Sequence, residues 1–313
     1  MKHRNNVIIV CGVVALAALL LFFIKERSIE PLDTAGKINV TVSFYPLAYF
    51  VKVVGGDHVS VNTLTPIGTE AHDFEPSPRD LVSLGATDIF LYNGAHYEPW
   101  IDKWNKNGFV RPREVVDMSI ALTERGERLL TLKNSTDPHF WLDPEVAMQE
   151  IEIIRDTLTR IDPASNDVYQ ENAARAKSVL QGLHARLTQG LVSCARRDII
   201  VSHNAFSYFA KRYNLNAIAI AGISPDEEPS PRTLAGIVDQ ARDRGIRYIF
   251  FETMVSSLLA ETIAREIGGG ILVLNPIENI THEEVERGDD YFSLMESNLR
   301  NLQIALECKK NEY

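Results

Sequence analysis

The chain has 313 residues, 45% of them hydrophobic and 24% charged, a balance that excludes wholesale disorder and fits one large or two medium globular domains. Its 42 acidic residues outnumber 32 basic ones for a net charge of −10, which argues against a nucleic-acid partner. Three cysteines (Cys11, Cys194, Cys308) are too few for a disulfide scaffold and include no close-spaced zinc pair.

Residues 1–30 are set aside before fold reasoning. Lys2, His3 and Arg4 precede Val7–Ile24, an uncharged apolar run of roughly 18 residues, enough to span a bilayer. No small-x-small cleavage site precedes Lys25, and Cys11 follows Ile9 and Val10 rather than a small residue. The segment therefore reads as an uncleaved signal anchor. A cleaved signal or a lipoprotein signal is the alternative, and either way the remainder is exported. Lys25 and Arg27 lie on the far side, so the charge bias that sets orientation is weak.

After a polar tether (31–37) the chain alternates. INVTVSF reads as a strand and YPLAYFVKVVGG as a helix closed by glycine. VSVNTLT, TDIFLYNG and EVVDMS read as further strands, with a Ser/Pro-started helix, PSPRDLVSLGA, between the first two of these. PEVAMQEIEIIRDTLTRI carries a first-turn proline and apolar three-four spacing. The next helical pattern, capped by Asp162 with Pro163 inside it, runs for roughly 30 residues, long for a globular helix. The rhythm then restarts: strands at RDIIVSH, LNAIAIAG, IRYIFFE and GILVLNP alternate with helices, and DDYFSLMESNLRNLQIALEC closes the chain. Such alternation predicts an α/β fold with parallel sheets and right-handed crossovers. The expected organisation is an N-terminal lobe (38–162), a linking helix (163–192) and a C-terminal lobe (193–313).

Ligands of open α/β sheets bind beyond the carboxyl ends of the strands. His72 lies in GTEAHDFEPSP after the second strand, and His139 in STDPHFWLDP, the last loop of the first lobe. His203 ends RDIIVSH, and Glu278 lies just past GILVLNP. No two are close in sequence, so any shared site forms only if these loops converge between the lobes. Three neutral imidazoles and one carboxylate suit a borderline-soft dication such as zinc, whereas more carboxylates would favour manganese. Each histidine alone also reads as an ordinary solvated loop residue.

EAHDFEPSPRD, DPHFWLDP, VSHNAFSYFAKRY, GISPDEEPSPRTL and LNPIENITHEE together resemble the metal-binding receptors of ABC transporters. This is the ZnuA- or TroA-like cluster, and the likeness is greatest to its zinc-specific AdcA- and Lmb-type members. The resemblance spans roughly residues 38–308. It implies two (β/α) lobes joined by a rigid helix, one metal ion in the cleft between them, an ABC permease as partner and an extracytoplasmic location. It also implies a non-enzymatic, monomeric protein. The family's histidine motifs map onto His72, His139 and His203, and its acidic fourth ligand onto Glu278. Histidine at the third position favours Zn2+; manganese receptors carry glutamate there, so Mn2+ is the alternative cargo. The common aspartate slot after the last strand holds Asn275, which makes the fourth position the least constrained. SIALTERGERLLTLKNSTD contains no histidine, so the His-rich accessory loop of some relatives is not expected. A C-terminal disulfide in some relatives implies that Cys194 and Cys308 pair; two buried thiols are equally compatible with the sequence. The rigid helix implies a modest local rearrangement on metal loss.

Several residues have plainer readings. His96 reads as a rim residue, and His58, His184 and His282 as solvated. Glu252 ends a strand and is the rival for fourth ligand, although a supporting or capping role suits it better. Asp137 or Asp143 can orient His139, and Asp143 can equally cap the following helix. Trp100, Trp104 and Trp141 read as lobe packing. A zinc hydrolase would need a vacant position and a general base, either Glu278 or Glu252; the chain has no HExxH pairing to support one. Protons compete for neutral imidazoles, so binding is expected to weaken below roughly pH 6.

Overall fold

The computed structural model describes residues 36–132, 135–225 and 229–309. The signal-anchor reading of residues 1–30 lies outside them. Among the described residues no helix is long and apolar enough to cross a membrane. Lys37 onward belongs to one compact unit.

The first half contains β1 (Ile38–Val42), α1 (Tyr45–Gly55), β2 (Val59–Thr63), α2 (Pro78–Ser83), β3 (Ile89–Tyr92), α3 (Ile101–Lys106), β4 (Glu114–Asp117) and α4 (Met118–Glu124). A small antiparallel pair, β5 (Thr131–Leu132) and β6 (Ser135–Thr136), leads to α5 (Pro144–Ile161). Next comes α6 (Asn166–Val192). The second half contains β7 (Asp198–Val201), α7 (Ser207–Tyr213), β8 (Asn216–Ala219), α8 (Pro231–Asp243), β9 (Tyr248–Phe251), α9 (Leu258–Ile267), β10 (Gly270–Val273), α10 (His282–Arg287) and α11 (Tyr291–Ala305).

Two four-stranded sheets result, ordered β2-β1-β3-β4 and β8-β7-β9-β10, with every strand pair parallel. The expected α/β class is therefore what the fold shows. Helices lie against the strands, so central strands are apolar on both faces: Ile89 and Leu91 on one face of β3 with Phe90 on the other, and Ile199 and Val201 on one face of β7 with Ile200 on the other, are all buried.

Local chemistry sets the helix ends. Ser77 accepts from the Asp80 amide and Asp80 returns the bond, a capping box ahead of Pro78 in the first turn. Asp143 caps α5 by accepting from the Glu145 amide, again with proline in the first turn. Gly268 closes α9 at a φ of 68°, a left-handed conformation that favours glycine.

The long helix is 27 residues, about 40 Å at 1.5 Å per residue. It buries Tyr169, Ala173, Ala176, Leu180, Leu183, Leu187 and Leu191, one stripe at three-four spacing. That stripe packs on α5 and α1 towards one lobe and on α11 and α7 towards the other. Pro163 is not inside it, as the periodicity suggested. Pro163–Ser165 form a separate 3-10 turn and the helix starts at Asn166. Proline lacks an amide hydrogen and clashes with the preceding turn, so it is accommodated before the regular ladder begins. The short elements α3, α4, α10 and the β5–β6 pair were not anticipated, because six or seven residues give too few turns for a period to show. EVVDMS divides at Asp117, whose carboxylate caps α4 through the Ile120 amide.

Cys194 and Cys308 form a disulfide that closes the start of the second lobe onto the end of α11. This resolves the choice left open between pairing and two buried thiols.

Candidate metal centre

Four loops bring His72, His139, His203 and Glu278 to one point between the sheets. His72 comes from the β2–α2 segment. His139 stands before the 3-10 turn Phe140–Leu142 that leads into α5. His203 lies two residues past β7 and Glu278 five past β10. The last loop is strained: Ile277 has a φ of 57°, costly for a β-branched residue. Two bonds hold it there. The Ile277 amide donates to Asn275 Oδ1 at 2.8 Å, and Trp141 Nε1 donates to the Pro276 carbonyl at 2.8 Å. Glu278 follows directly, with Oε1 among the imidazole nitrogens.

Five of the six distances among the donor atoms are 3.1–3.3 Å, and all four atoms lie within 4.8 Å of one another. His72 Nε2 is 3.1 Å from His139 Nε2 and 3.2 Å from Glu278 Oε1. His203 Nε2 is 3.3 Å from His139 Nε2 and 3.1 Å from Glu278 Oε1, and His139 Nε2 is 3.2 Å from the same oxygen. A tetrahedral ion with bonds of about 2.0–2.1 Å needs ligand atoms about 3.3 Å apart. The spacing therefore matches a four-coordinate dication of zinc's size.

Two rings are oriented from behind. Asp137 Oδ1 accepts from His139 Nδ1 at 2.8 Å, and Glu252 Oε1 accepts from His203 Nδ1 at 2.7 Å. A carboxylate at Nδ1 fixes the tautomer with its proton there and leaves the Nε2 lone pair facing the centre. Tyr208 in turn donates to the Asp137 carbonyl at 3.1 Å. His72 packs its ring against Tyr97 at 4.5 Å between centroids.

Burial is nearly complete: side-chain exposure is 0% for His139 and His203, 2% for Glu278 and 8% for His72. Burial lowers the His72 pKa. Burial also opposes charge on His139 and His203, but Asp137 and Glu278 raise the first and Glu252 and Glu278 raise the second. For Glu278 burial pushes upward, yet the facing imidazoles hold its carboxyl well below the ordinary range. Glu70 stands beside the cluster and accepts from the His72 amide at 3.1 Å. Burial, with the Glu278 charge added, pushes it up to about 8. The surroundings are thus rich in carboxylates, which suits a doubly charged cation.

The rival acids separate cleanly. Glu252 meets the back of His203, and Asp137 the back of His139, while Asp143 caps α5 and pairs with Arg212 at 2.8 Å. His96 is exposed, as its rim reading has it. His282 is exposed, but His58 bonds Ser165 and His184 bonds Tyr213, so these two are not simply solvated. Trp141 is buried 5.3 Å from the His139 ring.

Sequence reasoning missed the braces. Asn93 Nδ2 donates to the Pro138 carbonyl at 2.9 Å, and Glu98 accepts from the Asn93 and Gly94 amides at 2.8 and 3.1 Å. Burial pushes Glu98 up to about 7. An Asn-Gly directly after a strand was the available signal. Asn275 fills the expected aspartate slot but faces Glu284, at 3.0 Å, rather than the cluster.

The fold and site together define a two-lobed α/β binding protein with a closed four-donor centre at the lobe junction. Comparison with known proteins makes the assignment definite: the chain belongs to the family described as zinc-uptake complex component A, periplasmic (ZnuA), whose pattern matches residues 40–305. It is 33% identical over 288 residues to the high-affinity zinc uptake system protein ZnuA of Bacillus subtilis, covering 88% of this chain and 90% of that one. It is 34% identical over 298 residues to the zinc-binding lipoprotein AdcA of Streptococcus pneumoniae; 92% of this chain spans 59% of AdcA. The Zn(II)-bound ZnuA-like domain of S. pneumoniae AdcA superposes with a TM-score of 0.75 at 34% identity, covering 87% of this chain and all of that domain. The laminin-binding protein Lmb of Streptococcus agalactiae, described as bifunctional with adhesin and metal-transporting activity, gives 0.77 at 30% identity over 86% of this chain and 99% of Lmb.

Proposed function

We propose that this chain is the extracytoplasmic zinc receptor of an ABC importer. It captures one Zn2+ through His72 Nε2, His139 Nε2, His203 Nε2 and Glu278 Oε1 and delivers it to a membrane permease. Family membership supports the receptor class, which is a binding protein and not an enzyme. The observation that carries the ligand set is the convergence of the four donor atoms, five of whose six mutual distances are 3.1–3.3 Å.

A full four-donor shell suits a holding site. A hydrolase needs an open position for water and a free base, whereas Glu278 stands among the imidazole nitrogens and Glu252 is held at the back of His203. Histidine at position 203 favours zinc over manganese. The working division of the chain is a membrane anchor at 1–30, a tether at 31–37, lobes at 38–162 and 193–313, and a linking segment at 163–192, of which Asn166–Val192 is the helix. The protein acts as a monomer without nucleic acid.

Elemental analysis of residues 36–313, purified without chelator or added metal, tests the proposal. Near one zinc per chain is expected. Manganese in its place, or no metal even after zinc incubation, would overturn the assignment.

A further inference from the structure

His72 reaches the cluster from residues 64–77, a stretch without strand or helix. The opposite lobe holds this stretch through Asn279, the residue after Glu278. Asn279 is 2% exposed, and its Nδ2 donates to two backbone carbonyls, Pro66 at 2.7 Å and Thr69 at 2.8 Å. Its own Oδ1 accepts from the Ile280 amide at 2.8 Å. The Gly68 amide adds a third cross-link, donating to the Ile280 carbonyl at 3.1 Å. Three hydrogen bonds therefore join two loops, each carrying one donor of the cluster, whose Nε2 and Oε1 stand 3.2 Å apart.

The other two donors are held differently. His139 and His203 are fixed by Asp137 and Glu252, and His203 sits almost on its strand. His72 is also the most exposed of the four. Ligand exchange with solvent thus begins at His72, and what restrains its loop restrains the exchange.

We propose that Asn279 is a positioning residue for the metal: its clasp holds the His72 and Glu278 loops at chelating distance, and opening of the clasp limits zinc release. The inference rests on the receptor reading above. The residue type is specific. A primary amide supplies two donors in one plane to two carbonyls, whereas aspartate would set a carboxylate against both. A cavity of about 520 Å³ borders the clasp, lined among others by Thr65, Ile67, Asn279 and Ile280. Asn279 itself lines this cavity, so its truncation opens the site towards water and Asn279→Ala is compatible with folding.

The test uses the full chain in detergent, loaded with zinc alone, with release followed by transfer to excess chelator. Asn279→Ala is expected to keep one zinc per chain but to release it about 10–100-fold faster, the range for partners that orient ligands. Asn279→Asp should release faster still. Gly68→Ala, which strains a φ of 77°, should accelerate release less than either. Thermal unfolding of the zinc-free proteins separates a general brace from a positioning role. Release within about twofold of wild type in Asn279→Ala and Gly68→Ala, with only zinc-free stability lowered, overturns the proposal. Should Asn279→Asp fail to fold, the other two variants decide. A wild-type chain that takes up no zinc overturns the receptor reading itself, and the role of the clasp with it.

Discussion

The two lobes share one strand order, second-first-third-fourth, yet deliver their donors in different ways. In the C-terminal lobe the second residue past the first strand is His203, and the residue directly past the third strand is Glu252, which orients it. The equivalent positions of the N-terminal lobe hold Phe44 and Asn93. Phe44 packs on Tyr97 and Trp141, each 4.8 Å between centroids, and Asn93 braces the loop of His139. The N-terminal lobe therefore spends its strand ends on packing and supplies both donors from long loops. A strand end fixes a side chain through the sheet's own ladder; a loop donor needs separate fastening. That fastening is visible as Asp137, Asn93 with Glu98, and Asn279.

Removing one donor from each lobe gives the largest effect. His139→Ala and His203→Ala should each abolish zinc retention in purified protein, read by elemental analysis. Wild-type zinc content in either would mean that its lobe does not contribute as described. The two acids of the second half come next: Glu278→Ala should weaken zinc retention more than Glu252→Ala in a chelator competition, and the reverse order would exchange their roles. Asp137→Asn and Glu252→Gln, which alter the support of one ring in each lobe, should each cost about 10–100-fold in affinity. A much larger cost for Asp137→Asn would sharpen the contrast between loop and strand donors.

Proton competition is smaller again near neutrality and has a definite sign. Zinc needs all three imidazoles neutral, so affinity falls as pH falls. The carboxylates around His139 and His203 raise their pKa values against the opposing effect of burial, while burial lowers that of His72. Loss should therefore begin on the neutral side of about 6.5, earlier than the three histidines alone suggest. Zinc affinity measured from pH 8 down to pH 5 checks this; a flat profile would contradict a three-imidazole shell. The smallest effect on binding should come from the disulfide. Replacing Cys194 and Cys308 by serine should lower unfolding stability by about 2–4 kcal/mol, measured with denaturant, and leave zinc affinity unchanged.

Much of this was legible in the sequence because it is local. β-Branched runs marked the strands, first-turn prolines and Ser or Asp caps marked the helices, and the strand–helix alternation implied parallel sheets. His203 and Glu252 stood out as polar residues at the ends of apolar strands. The type of the three histidines already spoke for a borderline-soft dication. Tertiary structure alone decided the rest. Glu252 and Glu278 both follow strands of one lobe, and nothing local shows that one meets Nδ1 of a ring and the other Nε2. The same holds for Asn279, whose partners at Pro66 and Thr69 lie 213 and 210 residues away. A hydrogen bond fixes its acceptor only once the chain has brought the two ends together. Residue types were therefore set by sequence, and which atom of each faces the centre of the cluster was set by the packing of two lobes along one helix.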